Sequence, residues 1–400
     1  MSVTSMLRRL QDLKDYMSQG IRGYRPWTLI DTEELTGPSE TDNEIVSQYA
    51  PPINPKDIEK VFRHYGYKAE YVDHIICPSV TVYEVSLALG TRVGQLIKLE
   101  RDIARDLGLS SIRIVDRKNS PNIGIEVPNK DRLPLYFKET VQDLPEKMDI
   151  PVVFGEDTYG ENIVRDLTKM PHLLVAGQTG SGKSVFLNTL ISTILATKKP
   201  EDVQLLLVDP KGNEFMSYDD VPHLLEPVAT CLEDAREILS FAIKEMGDRF
   251  DLLKEEKCRK LSDYNEKTQD KLPYIVLVVD EFADLMLAGT PKERKEIEDM
   301  IVRVAQKARA VGIHLVLATQ KPIAKVMTTL IKSNMPARVS FRVPSWNDSK
   351  VILDEKGAEN LIGQGDMLFC DPLAIDEADR MKRIQAPWIP DEDIEIITNQ

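Results

Sequence analysis

The sequence predicts an α/β protein with a mostly parallel sheet and a phosphate-binding loop at the end of a central strand. Three observations predict it. Gly177-Gln178-Thr179-Gly180-Ser181-Gly182-Lys183-Ser184 fits the pattern G-x-x-x-x-G-K-[ST]. The apolar runs Leu173–Ala176, Leu205–Val208, Ile275–Val279, Leu315–Ala318 and Val339–Val343 alternate with helical periodicities, as in a parallel sheet covered on both faces. The first four of these runs end in polar chemistry, at the strand ends where such sheets bind ligands.

From the N-terminus, Met6, Leu7, Leu10, Leu13 and Met17 fall on one side of a short helical pattern that also holds Arg8, Arg9 and Lys14. Two readings stand: a helix packed on the body, or an amphipathic helix at a membrane surface. Residues 31–49 carry Asp31, Glu33, Glu34, Glu40, Asp42 and Glu44 with Gly37 and Pro38, which makes residues 1–50 an N-terminal helix and acidic linker. Residues 51–149 read as a separate small α/β domain. Within it Ser79–Ala88 alternates like a half-buried strand, Gln95–Leu107 reads as one helix, and Ile112–Val115 and Ile123–Val127 as two further strands. Residues 150–400 then hold the alternating strands and helices.

Composition sets the outer bounds. Four hundred residues suggest two or three domains, and 42% hydrophobic with 29% charged residues is globular. No apolar run reaches the length of a membrane span, and no signal-peptide core is present. Cys77, Cys231, Cys258 and Cys370 lack C-x-x-C spacing and read as reduced core thiols of a cytosolic protein. The five histidines, His64, His74, His172, His223 and His314, have no metal-ligand spacing and read as structural. A net charge of −14 argues, taken alone, against nucleic acid as a partner.

The loop carries specific chemistry. Its glycines allow a tight turn with N–H groups facing phosphate oxygens. Lys183 reaches the β- and γ-phosphates, the Ser184 hydroxyl ligates Mg²⁺, and the helix opening at Val185 adds its positive end. Gly177 through Val185 are therefore the expected ATP-binding residues. Ile275–Val279 runs into Asp280-Glu281, the shape of a Walker B strand: Asp280 holds Mg²⁺, directly or through water, and Glu281 polarises the attacking water. Gln320 ends the next strand, either as an amide between γ-phosphate and water or as a turn residue. Asp209-Pro210-Lys211 ends the second strand, either beside the nucleotide or as a turn.

Thr290-Pro291-Lys292-Glu293 is an N-cap, first-turn proline and capping box, and Gly312 closes the helix that follows. From Met300 to Asn347, 48 residues contain no Asp or Glu but hold Arg303, Lys307, Arg309, Lys321, Lys325, Lys332, Arg338 and Arg342. A solvated face interleaves both signs. This band reads as a surface facing phosphates, from DNA or a neighbouring subunit's ATP. Its few aromatics suit backbone tracking without base reading.

These residues resemble the FtsK/SpoIIIE family of DNA translocases. Leu167–Ser184 is similar to the family's P-loop and its approach, and Asp280-Glu281-Phe282-Ala283-Asp284-Leu285-Met286 to its Walker B block. Gln306–Gln320 resembles its sensor region, and Ile352-Leu353-Asp354, Gly357-Ala358-Glu359 and Gly365-Asp366-Met367-Leu368 its C-terminal block. The likeness extends upstream through Pro78–Val85 and Gly124–Asn129, covering roughly residues 50–390. It implies a RecA-like motor domain preceded by a smaller α/β domain, and a hexameric ring with duplex DNA in its pore. It implies catalysis by Lys183, Asp280, Glu281 and Gln320 with ATP and Mg²⁺, and an arginine from the neighbouring subunit, with Arg303 and Arg309 as candidates. Lys325, Lys332 and Arg338 are then expected near DNA. The chain is expected to be the motor portion, without the N-terminal membrane helices or C-terminal winged-helix domain that members usually carry. It is expected in the cytoplasm or at the inner face of the membrane, either as a trimmed piece or as a naturally short mobile-element or phage relative. The expected work is chromosome segregation or mobile-element DNA transfer. Two alternatives stand: a conjugation or secretion ATPase of the same superfamily, and a nucleotide-binding scaffold.

Overall fold

A computed structural model describes residues 29–39, 42, 50–116, 120–132, 134–142, 144–145, 147–376 and 379–399. The expected helix over residues 6–17 and most of the acidic linker lie outside them. The first sheet comprises β1 (Ala69–Ile76), β2 (Val80–Leu87), β3 (Arg113–Asp116) and β4 (Ile123–Pro128), antiparallel in the order β1-β2-β4-β3. Helix Pro55–His64 opens on Asn54, whose side chain accepts from the Lys56 N–H, with proline in its first turn. Its Ile58 and Phe62 pack with Leu96, Ile103, Tyr83, Val85 and Ile125.

Two expectations for this domain change. β2 is covered on both faces: Tyr83 and Val85 face the helices, while Val80 and Val82 pack with Cys77 and Ile362. The stretch 95–107 is two helices, Val93–Ile97 and Glu100–Asp106, although Leu96 and Ile103 still share one core. β1 went unforeseen because only Ala69 along it is buried, so it shows no apolar alternation.

The second sheet holds β5 (Pro151–Asp157), β6 (Asn162–Asp166), β7 (His172–Ala176), β8 (Val203–Val208), β9 (Tyr274–Val279), β10 (Ile313–Thr319), β11 (Ala337–Phe341), β12 (Asp366–Cys370) and β13 (Met381–Gln385). Its order is β6-β5-β13-β12-β11-β7-β10-β9-β8. The five expected strands form the parallel part, β11 through β8. Four antiparallel strands that the sequence did not announce extend it on the far side of β11. β13, Met-Lys-Arg-Ile-Gln, buries only Arg383 and Ile384 and so presents no apolar run. Apolar clusters cover both faces of this sheet. Phe154 of β5 stacks on Phe369 of β12 at 4.1 Å between ring centres and reaches Phe186 of the helix Lys183–Thr197.

The two sheets are tied by buried charge. Arg383 of β13 donates to both oxygens of Asp366 on β12 (2.9 and 2.7 Å) and to Glu126 on β4 (2.8 Å), and Arg113 of β3 pairs with Glu126 at 3.2 Å. Phe137 and Val141, with Ile30 and Leu35 from the expected linker, pack into the core of the larger sheet. That packing unit therefore takes in residues on the N-terminal side of the expected boundary at 149/150. Among the described residues, no helix is long and apolar enough to cross a membrane. Cys77 and Cys370 are buried as expected, whereas Cys231 is exposed and caps the helix Leu232–Glu255.

Three histidines are buried among backbone partners: His172 accepts from the Leu315 N–H, while His314 and His223 sit against the carbonyls of Pro171 and Lys198. Burial pushes His172 down to about 3, with His314 beside it adding to the shift, and burial pushes His223 and His314 down to about 4. In the unfolded chain each ring takes a proton near 6.5. Their contribution to stability is therefore complete above that value and is lost as pH falls towards the folded values. The urea midpoint is expected to fall between about pH 7 and pH 5, before carboxylates titrate. A flat midpoint over that window would show that the rings are not held neutral.

Candidate active site

Strand order builds the site. β7 delivers Gly177–Ser184, β9 delivers Asp280-Glu281, and β10 lies between them and delivers Gln320. The three expected chemical segments thus emerge side by side at the carboxyl ends of adjacent parallel strands. The loop leaves β7 bonded to both neighbours: Gly177 N–H donates to Thr319 O (3.2 Å) and Gln178 N–H to Arg342 O (2.9 Å). Two of its glycines are sterically required. A Cβ on Gly177 would lie 2.6 Å from both Phe341 Cβ and Ser181 Oγ. Gly182 has φ 108°, and a Cβ there would lie 2.4 Å from Gly365 N. Gly365 N–H donates to Ser181 O at 2.9 Å, so the turn before β12 presses on the loop.

Helix Lys183–Thr197 starts at the loop's end and buries most of its side chains, which fixes its N-terminus relative to the sheet. Unpaired N–H groups and dipole at such an end favour an anion. Lys183 is itself buried; its Nζ donates to Asp280 O at 2.9 Å and to Asp280 Oδ1 at 2.5 Å. The other Asp280 oxygen is buried and has no partner among the described residues. Glu281 is fully buried, capping helix Phe282–Leu287 and accepting from Thr319 Oγ1 (2.6 Å) and Gln320 N–H (2.8 Å). Thr179 Oγ1 donates to Gln320 Oε1 at 2.9 Å. A continuous hydrogen-bonded path therefore runs from the P-loop through Gln320 to Glu281. The turn reading of Gln320 does not account for this bridge.

Asp209 is explained by the loop it holds. Its buried carboxylate accepts the N–H groups of Lys211, Gly212, Glu214 and Phe215 at 2.7–3.2 Å. This places the Glu214 carboxylate where the Ser184 hydroxyl donates to it, at 2.9 Å. Sequence reading missed Glu214 because no spacing relates it to the P-loop; only the Asp209 clamp brings it there.

The loop faces a cavity of about 640 Å³. One end is polar, lined by Gln178–Gly180, Gly182–Ser184, Glu214 and Gln320; the other is formed by Arg132, Pro134, Leu135, Gln385, Ala386, Pro387 and Trp388. Two chain segments zip together to make that second end: Trp388 N–H donates to Leu135 O (2.7 Å), Phe137 N–H to Trp388 O (2.9 Å), and Tyr136 meets Trp388 edge-on. Arg132 donates to Gly363 O, Ile362 O and Gln364 Oε1. These residues were also missed, since only the pairing of segments distant in the chain brings them to the loop. The residues also fit a divalent cation: a P-loop hydroxyl at Ser184 whose proton goes to Glu214, and a buried oxygen on Asp280 without a partner among the described residues.

The basic band is not acid-free in space. Asp354 pairs with both Lys332 and Arg338 at 2.6 Å, and Asp284 pairs with Lys321 at 3.2 Å. Burial would raise Asp354, but hydrogen bonds from Lys332 and Arg338 hold its carboxyl below the usual range. Lys332 and Arg338, expected at DNA, are thus clamped between helix Trp346–Leu353 and its neighbours. Lys325 is exposed in the segment after β10 and forms no ion pair with a described residue. Arg303 and Arg309 are exposed on and just after the helix Pro291–Lys307, whose capping box is present as expected.

A profile described as the FtsK/SpoIIIE family matches residues 141–324, and one described as the FtsK alpha domain matches residues 32–129. The DNA translocase FtsK of Haemophilus influenzae is 39% identical over 368 residues, 84% of this chain and 68% of that protein. The DNA translocase FtsK of Leptospira interrogans is 42% identical over 357 residues, 86% of this chain and 37% of that protein. That of Caldanaerobacter subterraneus is 39% identical over 383 residues, 94% of this chain and 52% of that protein. The chain spans about a third to two thirds of the length of these relatives. Among solved structures, the monomer form of the pCW3 conjugation coupling protein TcpA with ATPgS is similar, with TM-score 0.60 and 26% identity. That match covers 86% of this chain and 98% of the other. The cytoplasmic domain of the Thermomonospora curvata type VII secretion ATPase EccC shares the fold, with TM-score 0.54 and 24% identity over 65% of this chain and 32% of its own.

Thr319→Val keeps the shape but removes the hydroxyl donor to buried Glu281. A charged hydrogen bond of this kind is worth about 1.5–3 kcal/mol. We expect a loss of that size in denaturant unfolding; an unchanged midpoint would show that Glu281 does not depend on Thr319.

Proposed function

The chain belongs to the FtsK/SpoIIIE family, and from that premise we propose that it hydrolyses ATP to drive double-stranded DNA through a ring of its own copies. The observation that carries this reading is the path Thr179–Gln320–Glu281, which ties the phosphate loop to the carboxylate expected to polarise water. A site built only to hold nucleotide has no need of such a link.

In this reading the polar end of the cavity takes the triphosphate and the end with Leu135, Pro387 and Trp388 takes the adenine. Lys183 moves from Asp280 to the β- and γ-phosphates. Ser184 and Asp280 would hold Mg²⁺, whose charge would offset that of the phosphates. Glu281, freed in part by a shift of Gln320, orients water for in-line attack. Arg303 or Arg309 of one copy completes the site of the next; an arginine supplied in trans is worth about 10³–10⁵ in rate. The segment after β10, with Lys325, faces the DNA backbone. Such a motor works in the cytoplasm on chromosomal or mobile-element DNA. The likeness to a conjugation coupling protein favours a second reading, transfer of DNA or protein by a relative of that class.

Long linear duplex DNA is expected to raise the ATPase rate, and ATP to displace a third strand bound to that duplex. Absence of DNA stimulation would favour the secretion reading, and absence of hydrolysis a scaffold. In the same assay Glu281→Gln should bind ATP but lose about 10²–10⁴ in turnover; full turnover would remove Glu281 from its role. Lys325→Ala should weaken DNA binding and reduce its salt slope by about one unit. An unchanged slope would mean that Lys325 does not face DNA.

A further inference from the structure

Three carboxyl groups of the site each have their own partner. Lys183 serves Asp280; Glu281 is engaged by Thr319 and Gln320; Glu214 takes the Ser184 hydroxyl. Glu214 does not sit there as a drifting surface side chain. Its own N–H is bonded to buried Asp209 at 2.7 Å, and the next residue, Phe215, is fully buried and also bonded to Asp209. The loop is thus anchored immediately on both sides of the Glu214 side chain. The buried Asp280 carboxylate, held by Lys183 one residue before Ser184 in the chain, keeps one oxygen without a partner among the described residues.

We propose that Glu214 is a positioning residue for the divalent cation bound with the nucleotide. This rests on the nucleotide-binding reading above and deepens it. A serine hydroxyl can ligate a cation only through a lone pair, so its proton must point to another acceptor. Glu214 Oε1 is that acceptor. By holding the proton it turns the Ser184 lone pair towards the cation, as outer partners do for metal ligands generally. Its second oxygen can accept from a cation-bound water, and its charge adds to that of Asp280 in drawing the cation in. Asp209 never touches the cation; it keeps the loop folded so that Glu214 reaches Ser184. The acid at the end of β8 and the serine at the start of the helix are therefore parts of one device.

The test uses Mn²⁺ as probe with a non-hydrolysable ATP analogue and reads bound Mn²⁺ by electron paramagnetic resonance. Analogue binding is measured separately in excess chelator, with no free metal. Glu214→Gln keeps an acceptor for Ser184 but removes the charge; Glu214→Ala removes both. Outer-partner losses cost about 10–100-fold in metal affinity. We expect Glu214→Gln to weaken Mn²⁺ by about tenfold and Glu214→Ala by more. Metal-free analogue binding and the unfolding midpoint of the ligand-free chain should stay as in the unaltered protein for Glu214→Gln. Equal Mn²⁺ affinity in all three proteins would overturn the proposal. So would a loss of Mn²⁺ affinity matched by an equal loss of metal-free analogue binding, since that would be damage to the loop. Failure of the unaltered chain to bind analogue at all would overturn the nucleotide reading and this proposal with it.

Discussion

The pair of Lys183 and Asp280 is the constraint on which the site depends. An ammonium this deeply buried needs a compensating charge, because desolvation costs several kcal/mol per ion. Asp280 supplies it from a different strand, at 2.5 Å and through its carbonyl at 2.9 Å. The pair pins the P-loop to the end of β9 before any ligand arrives. It also defines what a ligand must do: offer Lys183 an anion at least as good. In the proposed reading a triphosphate would do so and would release an Asp280 oxygen beside one that has no partner among the described residues. On that reading one exchange of partners would prepare both the phosphate grip and the proposed cation site.

That exchange can be felt elsewhere because the sheet order places β10 between β7 and β9. Gln320 cannot move without changing what Thr179 and Glu281 are bonded to. On the other flank, the turn before β12 bears on the P-loop through Gly365 and Ser181. Arg132, in the connection from the smaller domain, holds that same turn by three acceptors. On the strand next to β12, Arg383 joins Asp366 of β12 to Glu126 of the smaller sheet. The nucleotide loop and the smaller domain are therefore linked by hydrogen bonds at the turn and by buried charge in the sheet.

Much of this was legible because the chemistry is local in sequence. The P-loop is eight consecutive residues, and Asp280-Glu281 follows directly on an apolar strand. The parallel strands announce themselves because burial on both faces demands continuous apolar runs. What stayed hidden depends on contacts between distant residues. Glu214 reaches Ser184 only through the Asp209 clamp. Leu135 and Trp388 meet only when the domain connection pairs with the segment after β13. The acid-free stretch from Met300 to Asn347 misled in part, since Asp354 folds back onto Lys332 and Arg338. A charge count along the chain cannot see a partner that arrives from the next helix.

The most direct measurement of the central claim is a double-mutant cycle on Lys183→Met and Asp280→Asn, read by urea unfolding with and without nucleotide and metal. If the buried pair holds the empty site together, the two changes couple by about 1–3 kcal/mol in the ligand-free protein. That coupling should fall away with saturating nucleotide and metal, when Lys183 has changed partner. Additivity within about 0.5 kcal/mol in the ligand-free protein would contradict the account.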